Sequence, residues 1–304
     1  MKIQYVARKF NAATQVIIDQ ANEIIDEYEA KGYTLTLRQI FYQFVSRDLI
    51  ANKQTEYKRL GSILNDARLD GQISWTAIED RTRSVRELSH WADPAEIVDT
   101  CARSFLLDKW ANQEFRPEVW IEKDALVGVF ECVCQRLDVP LLSCRGYTSQ
   151  SEMWRAARRM RRNCDGGQAP MVFHFGDHDP SGIDMSRDIK DRLNLFGADS
   201  EKDLEFQRLA LNMDQVDEFS PPPNPAKITD SRAQGYIAQF GGESWELDAL
   251  DPETLAGLVE DHILRLRDED KYQEVMDQQD EMRKQLEVVS SNWSDVVTFT
   301  EENC

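Results

Sequence analysis

The segment Val172-Phe-His-Phe-Gly-Asp177-His-Asp179-Pro-Ser-Gly182 decides the expected fold. An apolar stretch of β type ends in two carboxylates one residue apart, and Pro and Gly then turn the chain. Upstream, the apolar stretch Val119-Trp-Ile121 ends in Glu122. Carboxylate oxygens are the hard ligands that Mg²⁺ prefers. The sequence therefore predicts a magnesium site for phosphate chemistry, formed by Glu122, Asp177 and Asp179.

Downstream of about residue 117, short apolar segments alternate with segments of helical periodicity. Strands are predicted at 119–121, 141–144 and 171–175, and helices at 126–136, 152–162 and 183–193. This alternation is typical of βαβ units, which build a parallel sheet. The predicted fold class is therefore α/β with a Rossmann-like parallel sheet. Ligands of such sheets bind at the carboxyl ends of the strands, where the acids lie.

The first third of the chain has a helical pattern instead. One helix is predicted at 12–30, a second begins at Thr36 with Gln39 completing a capping box, and a third spans 56–69. Residues 72–75 have the pattern of an extended segment. Helix, turn, helix and a following strand are typical of a winged-helix unit. We therefore predict a winged-helix-type domain over residues 1–110 and a second domain over residues 115–304.

Composition limits the cellular setting. No stretch approaches the length of a transmembrane helix, and the first residues lack the layout of a signal peptide, so we expect no membrane partner. The six cysteines lack the paired spacing of a disulfide framework or a zinc site. Free thiols of this kind indicate a reducing compartment, so we expect a cytoplasmic protein.

The acidic charge is concentrated in one part of the chain. The formal net charge is -19, which argues against a nucleic-acid partner if it is taken as a whole. Residues 1–90 carry +1, residues 91–195 carry -3, and residues 196–304 carry -17. A local basic surface for phosphates therefore remains compatible with the first two thirds of the chain.

These elements together resemble the A subunit of type IIB DNA topoisomerases (topoisomerase VI) and the related meiotic double-strand-break protein. The short, stand-alone form called Topo mini-A is the variety that the chain resembles most. Arg38-Gln-Ile-Phe-Tyr42 is similar to the tyrosine motif of this family. Glu122-Lys123 and Asp177–Gly182 are similar to its Toprim motif.

Weaker similarity extends on both sides of the Toprim motif. Arg145-Gly-Tyr147 resembles a Lys-Gly-Tyr element of the family, and Thr229-Asp230 and Trp245–Leu250 resemble its C-terminal part. The resemblance spans roughly residues 34–265. It implies that residues 115–304 form a Toprim domain with an acidic C-terminal extension, which holds Mg²⁺, or Mn²⁺ as an alternative, on the three acids.

The resemblance also implies an activity and partners. It implies magnesium-dependent cleavage of double-stranded DNA by tyrosyl transesterification, with Tyr42 as nucleophile. In the family the tyrosine of one subunit works with the metal of its partner, which implies a homodimer and two staggered nicks. The chain has no Gly-rich phosphate loop for ATP. Strand passage by an ATP-hydrolysing DNA topoisomerase would therefore need a separate ATPase subunit of B type.

The residues themselves make this chemistry reasonable. A phenol with a pKa near 10 is a poor nucleophile at neutral pH and needs a nearby cation or base. Arg38 lies four residues before Tyr42, so both side chains project from one helical face. Its guanidinium can favour the phenolate and grip the scissile phosphate. We therefore assign catalytic roles to Tyr42 and Arg38.

Other interpretations of the same residues stay open. Tyr42 can be a core aromatic, and Asp177 and Asp179 can be turn and N-cap residues. The protein can then be a Toprim nuclease that hydrolyses DNA with metal-bound water, or a DNA-binding module without strand passage. DNA contacts are assigned to four basic residues: Lys123, Arg145, Arg81 and Arg83. The basic segment 155–162 is either a further DNA contact or a solvated face.

Overall fold

The computed structural model describes residues 1–78, 88–197, 204–226, 230 and 232–303. Contacts divide the chain into two compact units. The first contains Met1–Arg83 and Pro117–Ile263, and the second contains Ser84–Arg116 and Leu264–Cys304. Residues 1–83 thus share a compact unit with residues 117–263. The division at residues 110–115 into two functional domains stays a prediction.

The N-terminal part of the first unit is helical. Its helices are α1 (Ala12–Ala30), α2 (Leu37–Ser46) and α3 (Gln54–Leu69). The Thr36 side chain accepts a hydrogen bond from Gln39 N, and the Gln39 side-chain oxygen accepts one from Thr36 N, so the predicted capping box is confirmed. A buried cluster of apolar side chains holds the three helices together, with Ile18, Ile40, Phe44 and Leu64 at its centre.

The rest of the chain alternates between strands and helices, as predicted. In chain order the elements are α4 (Pro94–Ser104), β1 (Phe115–Ile121), α5 (Val127–Leu137), β2 (Leu141–Ser143), α6 (Gln150–Asp165), β3 (Ala169–Phe175), α7 (Pro180–Leu195), β4 (Glu205–Ala210), α8 (Met213–Phe219), β5 (Asn224–Pro225), α9 (Ala233–Phe240), β6 (Glu243–Ser244), α10 (Pro252–Leu266), α11 (Glu269–Ser291) and α12 (Trp293–Asn303).

A parallel sheet organises the first unit. Within the described residues it has four strands in the order β2-β1-β3-β4. The chain leaves β1 toward one side to form β2 and then crosses to the other side for β3. The order therefore reverses between β1 and β3, and such a switch point opens a crevice at the carboxyl ends of the strands. The α/β class with a parallel sheet is confirmed, and the winged-helix and Toprim identities stay predictions.

Two local predictions differ from the structure. Residues 72–75 form turns and bends rather than a strand; Ile73 is buried, and the β-bridge of this region joins Leu35 to Ile78. The sequence pattern also gave no indication of β4, because Glu205 and Arg208 interrupt its apolar run. As an edge strand, β4 needs less apolar surface than the strands inside the sheet.

The second unit is a helical assembly in which α4 packs on α11. The Gln113 side chain exchanges hydrogen bonds with the backbone of Asp268, at 3.0 and 2.8 Å. The side-chain carbonyl of Gln279, a buried residue, accepts a hydrogen bond from Leu107 N at 3.0 Å. The acidic C-terminal residues are thus helical and pair with residues 94–116. Among the described residues, no helix is both long and apolar enough to cross a membrane.

Candidate functional site

Glu122 and Asp177 lie on the two sides of the switch point. Glu122 follows β1, and its backbone N donates to Phe175 O at 2.8 Å. Its carboxylate Oε2 accepts from Asp177 N at 2.9 Å. A Cβ on Gly176 would lie 3.0 Å from Oε2, so the glycine lets this loop approach the carboxylate. The structure therefore brings together two of the three acids predicted to bind metal.

The charges of this pair are unfavourable to each other. Burial first, and then the charge of Asp177, raise the pKa of Glu122 to about 7. Burial also raises the pKa of Asp177, against the opposing charge of Lys123. The Lys123 ammonium lies 2.9 Å from Asp177 Oδ2, and Leu247 N donates to Asp177 Oδ1 at 2.8 Å. Asp177 is thus held from two sides within the protein.

Asp179 caps helix α7. Its Oδ1 accepts from Gly182 N at 2.7 Å and from the Ser181 hydroxyl at 2.8 Å, and Pro180 occupies the first helical turn. A Cβ on Gly182 would collide with the carbonyl of Asp177. The N-cap interpretation therefore accounts for the Asp-Pro-Ser-Gly spacing. Asp179 Oδ2 accepts no hydrogen bond from any residue that the structure describes.

The residue types at this site suit a divalent cation, but their present arrangement suits one less well. Besides burial, the charges of Asp177 and Asp179 raise the pKa of Glu122, and three carboxylates this close favour a cation beside them. However, no group of three or more acidic, His or Cys side chains within the described residues is arranged to hold an ion. The Lys123 ammonium pairs with Asp177 Oδ2, the oxygen that a metal ion would need as a ligand. A metal would bind here only if Lys123 moved away from Asp177.

The segment Trp245–Asp248 completes the site, and its role was not found from the sequence. Its backbone pairs with His178 in both directions, at 2.8 and 2.9 Å. This pairing places Glu246 and Asp248 beside Lys123, at 2.9 and 3.0 Å from its ammonium. Asp248 is buried, and a buried carboxylate requires a partner of opposite charge. The sequence signal that could have indicated this role was the acidic pattern Glu-Leu-Asp, which directly follows the aromatic Trp245 at the end of a short strand.

Arg38 joins the tyrosine helix to this acid cluster. Arg38 Nε lies 2.7 Å from Asp248 Oδ2, and its terminal nitrogen binds Glu246. Two cations, Arg38 and Lys123, thus share the same two carboxylates. The network fixes α2 against the segment Trp245–Asp248. It also connects Arg38 to Asp177 of the same chain, through Asp248 and Lys123.

Tyr42 lies beside Arg38 on α2, as the spacing predicts. The guanidinium carbon lies 5.9 Å from the centre of the tyrosine ring. Burial and the charge of Asp248 raise the pKa of Tyr42, whereas Arg38, Lys123 and a hydrogen bond from Asn224 lower it. The net direction is upward. Arg38 therefore favours the phenolate, as expected, but burial outweighs it and the resting tyrosine is neutral.

A cavity of about 220 Å³ opens beside Tyr42. Its lining combines basic, amide and aromatic side chains with one acid: Arg38, Phe41, Tyr42, Asn52, Lys53, Gln54, Tyr57, Asn224 and Glu246. Polar side chains that converge with a few aromatic ones around a concave space are typical of a ligand site. The cavity is thus the place where a substrate group could reach the Tyr42 hydroxyl.

The remaining predicted contacts have different surroundings. Lys123 is inside the ion-pair network, whereas Arg145 is exposed, has a left-handed backbone with φ 53° and pairs with Asp124 at 3.0 Å. Arg81 and Arg83 lie outside the described residues, as does Thr229. His178 packs among aromatic rings and bonds to Tyr236 through Nδ1 at 2.7 Å, which gives it a structural role.

The fold and the site together define an α/β protein with a charged site at the switch point of a parallel sheet. Comparison with protein-family models, with curated proteins and with solved structures found no match.

Proposed function

We propose that the protein cleaves double-stranded DNA by transferring a phosphoryl group to Tyr42, in the manner of a type IIB topoisomerase A subunit. One observation carries the proposal. The shared carboxylates Glu246 and Asp248 bind both Arg38, on the tyrosine helix, and Lys123, beside Asp177. Tyr42, Arg38 and Glu246 therefore line one cavity, and the ion-pair network connects them to Asp248 and Lys123. This combination of a nucleophile, cations and carboxylates supports phosphoryl transfer.

In this proposal the Tyr42 oxygen forms a bond to phosphorus, and the bond from phosphorus to one sugar oxygen breaks. The phenol proton passes to a carboxylate, and Glu246, which lines the cavity, is the candidate acceptor. The released sugar oxygen takes up a proton. Glu122, whose pKa is raised to about 7, can hold such a proton at neutral pH and is the candidate donor when the metal is bound by Asp177 and Asp179 alone.

The scissile phosphate would replace Glu246 as the binding partner of Arg38 and Lys123. A phosphate oxygen and a carboxylate oxygen accept the same hydrogen bonds from guanidinium and ammonium groups. The neutral tyrosine of the resting site would lose its proton only when the phosphate is in place. This order would protect the protein from unwanted reactions of a free phenolate.

The proposal includes the Toprim and winged-helix assignments and the wider assembly. Glu122, Asp177 and Asp179 would hold Mg²⁺, or Mn²⁺, which when bound stabilises negative charge on phosphate oxygens. Two staggered nicks would require a homodimer. ATP-driven strand passage would require a separate ATPase subunit.

A second candidate is hydrolysis of DNA by water, with Tyr42 in a structural role. The observation that favours it is the raised pKa of Tyr42, because a buried neutral phenol is a weak nucleophile. Hydrolysis would need the acids at the switch point but not the tyrosine hydroxyl. The two candidates therefore differ in one measurable product, a covalent link between protein and DNA.

The test incubates supercoiled DNA with the protein and Mg²⁺ or Mn²⁺, denatures the mixture, and measures DNA joined to protein. We expect covalent ends that disappear in Tyr42→Phe. Tyr57→Phe is the matched control, because Tyr57 lines the same cavity and should retain the link. Cleavage that persists in Tyr42→Phe without covalent ends would replace the proposal by hydrolysis.

A further inference from the structure

Helix α6 divides its arginines between two environments. Arg159 forms a paired contact with the buried carboxylate of Glu118, with both distances 2.8 Å, and Arg161 pairs with Asp165 at 2.9 Å. These two arginines fasten the helix to the sheet and to its own last turn. The basic segment 155–162 is therefore not one uniform charged surface.

The outward face of the same helix carries a different set. Trp154 is 53% exposed, and Arg158 and Arg162 are exposed. Neither Arg158 nor Arg162 has an ion pair or a hydrogen-bond partner for its side chain among the described residues. Arg155, next to Trp154, makes an exposed pair with Glu152 at 3.3 Å. We call Trp154, Arg155, Arg158 and Arg162 the α6 stripe.

The stripe follows helical geometry. Positions 154, 158 and 162 differ by four residues, so their side chains leave one face at intervals of about 6 Å along the axis. The opposite face is apolar and buried, since Met153, Ala156 and Met160 face the sheet. The stripe therefore has a fixed orientation, with one aromatic ring followed by two unpaired guanidinium groups over about 12 Å.

The charge of the stripe contrasts with that of the chain. The chain has a formal net charge of -19, and most of the exposed arginines among the described residues pair with a carboxylate. Two neighbouring exposed arginines without such a partner are available to bind an anion from outside the protein. Guanidinium groups bind phosphate through paired hydrogen bonds, and an exposed indole stacks on bases or sugars.

We propose that the α6 stripe is a binding surface for the nucleic-acid backbone, separate from the cavity at Tyr42. Arg158 and Arg162 each contact one phosphate, and Trp154 contacts the adjacent sugar or base. The choice of duplex DNA as the nucleic acid rests on the proposed function. The stripe itself rests on the charges, the spacing and the exposure of α6.

The experiment measures how salt weakens DNA binding. Binding of the full chain to a fluorescent duplex of about 20 base pairs is followed by anisotropy in EDTA, which excludes cleavage, over a series of KCl concentrations. Each phosphate contact contributes about 0.9 to the slope of log K against log salt. We expect the double variant Arg158→Gln/Arg162→Gln to lower that slope by about 2, and Trp154→Ala to weaken binding at every salt concentration.

Arg161→Gln is the matched control, since it removes one arginine from the same helix but one that already pairs with Asp165. Its slope should equal that of the unaltered protein. An unchanged slope in the double variant, or an equal loss in Arg161→Gln, would overturn the inference. Loss of slope on duplex RNA but not on duplex DNA would overturn the choice of duplex DNA as the ligand, since the ligand would then be RNA.

The assay separates this inference from the proposed function. If the double variant keeps its slope while Tyr42→Phe loses the covalent link, only the α6 inference fails. If the slope falls but the unaltered protein forms no covalent link, only tyrosyl transfer fails. If the unaltered protein binds no duplex DNA at all, both are wrong.

Discussion

At the scale of single residues, burial and neighbouring charges shift the pKa values of the groups in the site. Glu122 and Tyr42 both have raised pKa values, so each favours its protonated form at rest. Lys123 and Arg38 stay charged because acids surround them. Such perturbed groups in a cleft are typical of functional sites, although buried ion pairs in a structural core shift pKa values too.

A buried histidine below the site predicts how stability depends on pH. His174 is fully buried, bonds to Ser186 at 2.9 Å, and burial lowers its pKa to about 3. Between pH 6.5 and 3 the unfolded chain binds a proton that the folded chain does not, so stability falls as pH falls through this window. At pH 5 the loss expected from His174 alone is about 2 kcal/mol. The raised pKa of Glu122 acts in the opposite direction and the lowered pKa of His178 in the same one, so urea unfolding of the unaltered protein and of His174→Asn, each at pH 7.5 and 5, measures the part due to His174.

His174→Asn should remove that part of the pH dependence, whatever its effect at neutral pH. The exposed His90→Asn is the control, and it should retain the full dependence. If His174→Asn loses as much stability between pH 7.5 and 5 as the unaltered protein does, His174 is not the group responsible.

At the scale of elements, β4 supports the acidic loop from below. The guanidinium of Arg208 donates to the carbonyls of Gly176, Asp177 and Gly182, at 2.8, 2.6 and 3.0 Å. Burial is the main reason that its pKa is lowered to about 10. One side chain of an edge strand therefore holds the backbone of the Asp-x-Asp-Pro-x-Gly loop at both its beginning and its end.

Loss of Arg208 should destabilise the fold strongly. In Arg208→Met the three carbonyls lose the guanidinium donor while they stay buried, and the Gly176 carbonyl keeps its bond from Leu211 N. We expect a loss of about 3–5 kcal/mol in the free energy of unfolding. Arg208→Lys should recover part of it. Arg187→Met, on the exposed face of α7, should cost less than about 1 kcal/mol. Urea unfolding compares the three, and equal losses at both positions would contradict the anchoring role.

Elements with strong local patterns could be predicted from the sequence, and contacts distant in the chain could not. The capping box at Thr36 and the strand–helix alternation depend on neighbouring residues, so they were predicted. Residues 72–75 have a β-type composition but form turns, because Ile73 is buried against the helices without a strand partner. Local propensity does not determine strand pairing.

The site shows the same limit. Glu122, Asp177, Arg38 and Tyr42 were predicted from short motifs, and the structure brings them into one compact unit. Glu246 and Asp248 were not assigned a role, because their importance depends on a pairing between His178 and Trp245 that joins distant parts of the chain. The ion pair between Lys123 and Asp177 also depends on folding, since these two residues are distant in the chain.

At the scale of the whole molecule, Tyr42 acts either with the acids of its own chain or with those of a partner subunit. The resemblance implies that Tyr42 of one subunit works with the acids of its partner. In the structure, however, Tyr42 lies beside Arg38 and Asp248 of its own chain, within one compact unit. The contacts therefore predict that a single chain contains a complete site.

Mixing two inactive variants distinguishes these arrangements. Tyr42→Phe lacks the nucleophile, and Asp177→Asn lacks an acid but can still accept the hydrogen bond from Leu247 N. If the site is formed within one chain, no mixed dimer has a complete site, and we expect no covalent cleavage after the two proteins are unfolded and refolded together. Mixtures of each variant with the unaltered protein are the controls and should retain activity. Single-strand nicks in the mixture of the two variants would contradict the prediction, because only a tyrosine that reaches the acids of its partner could make them.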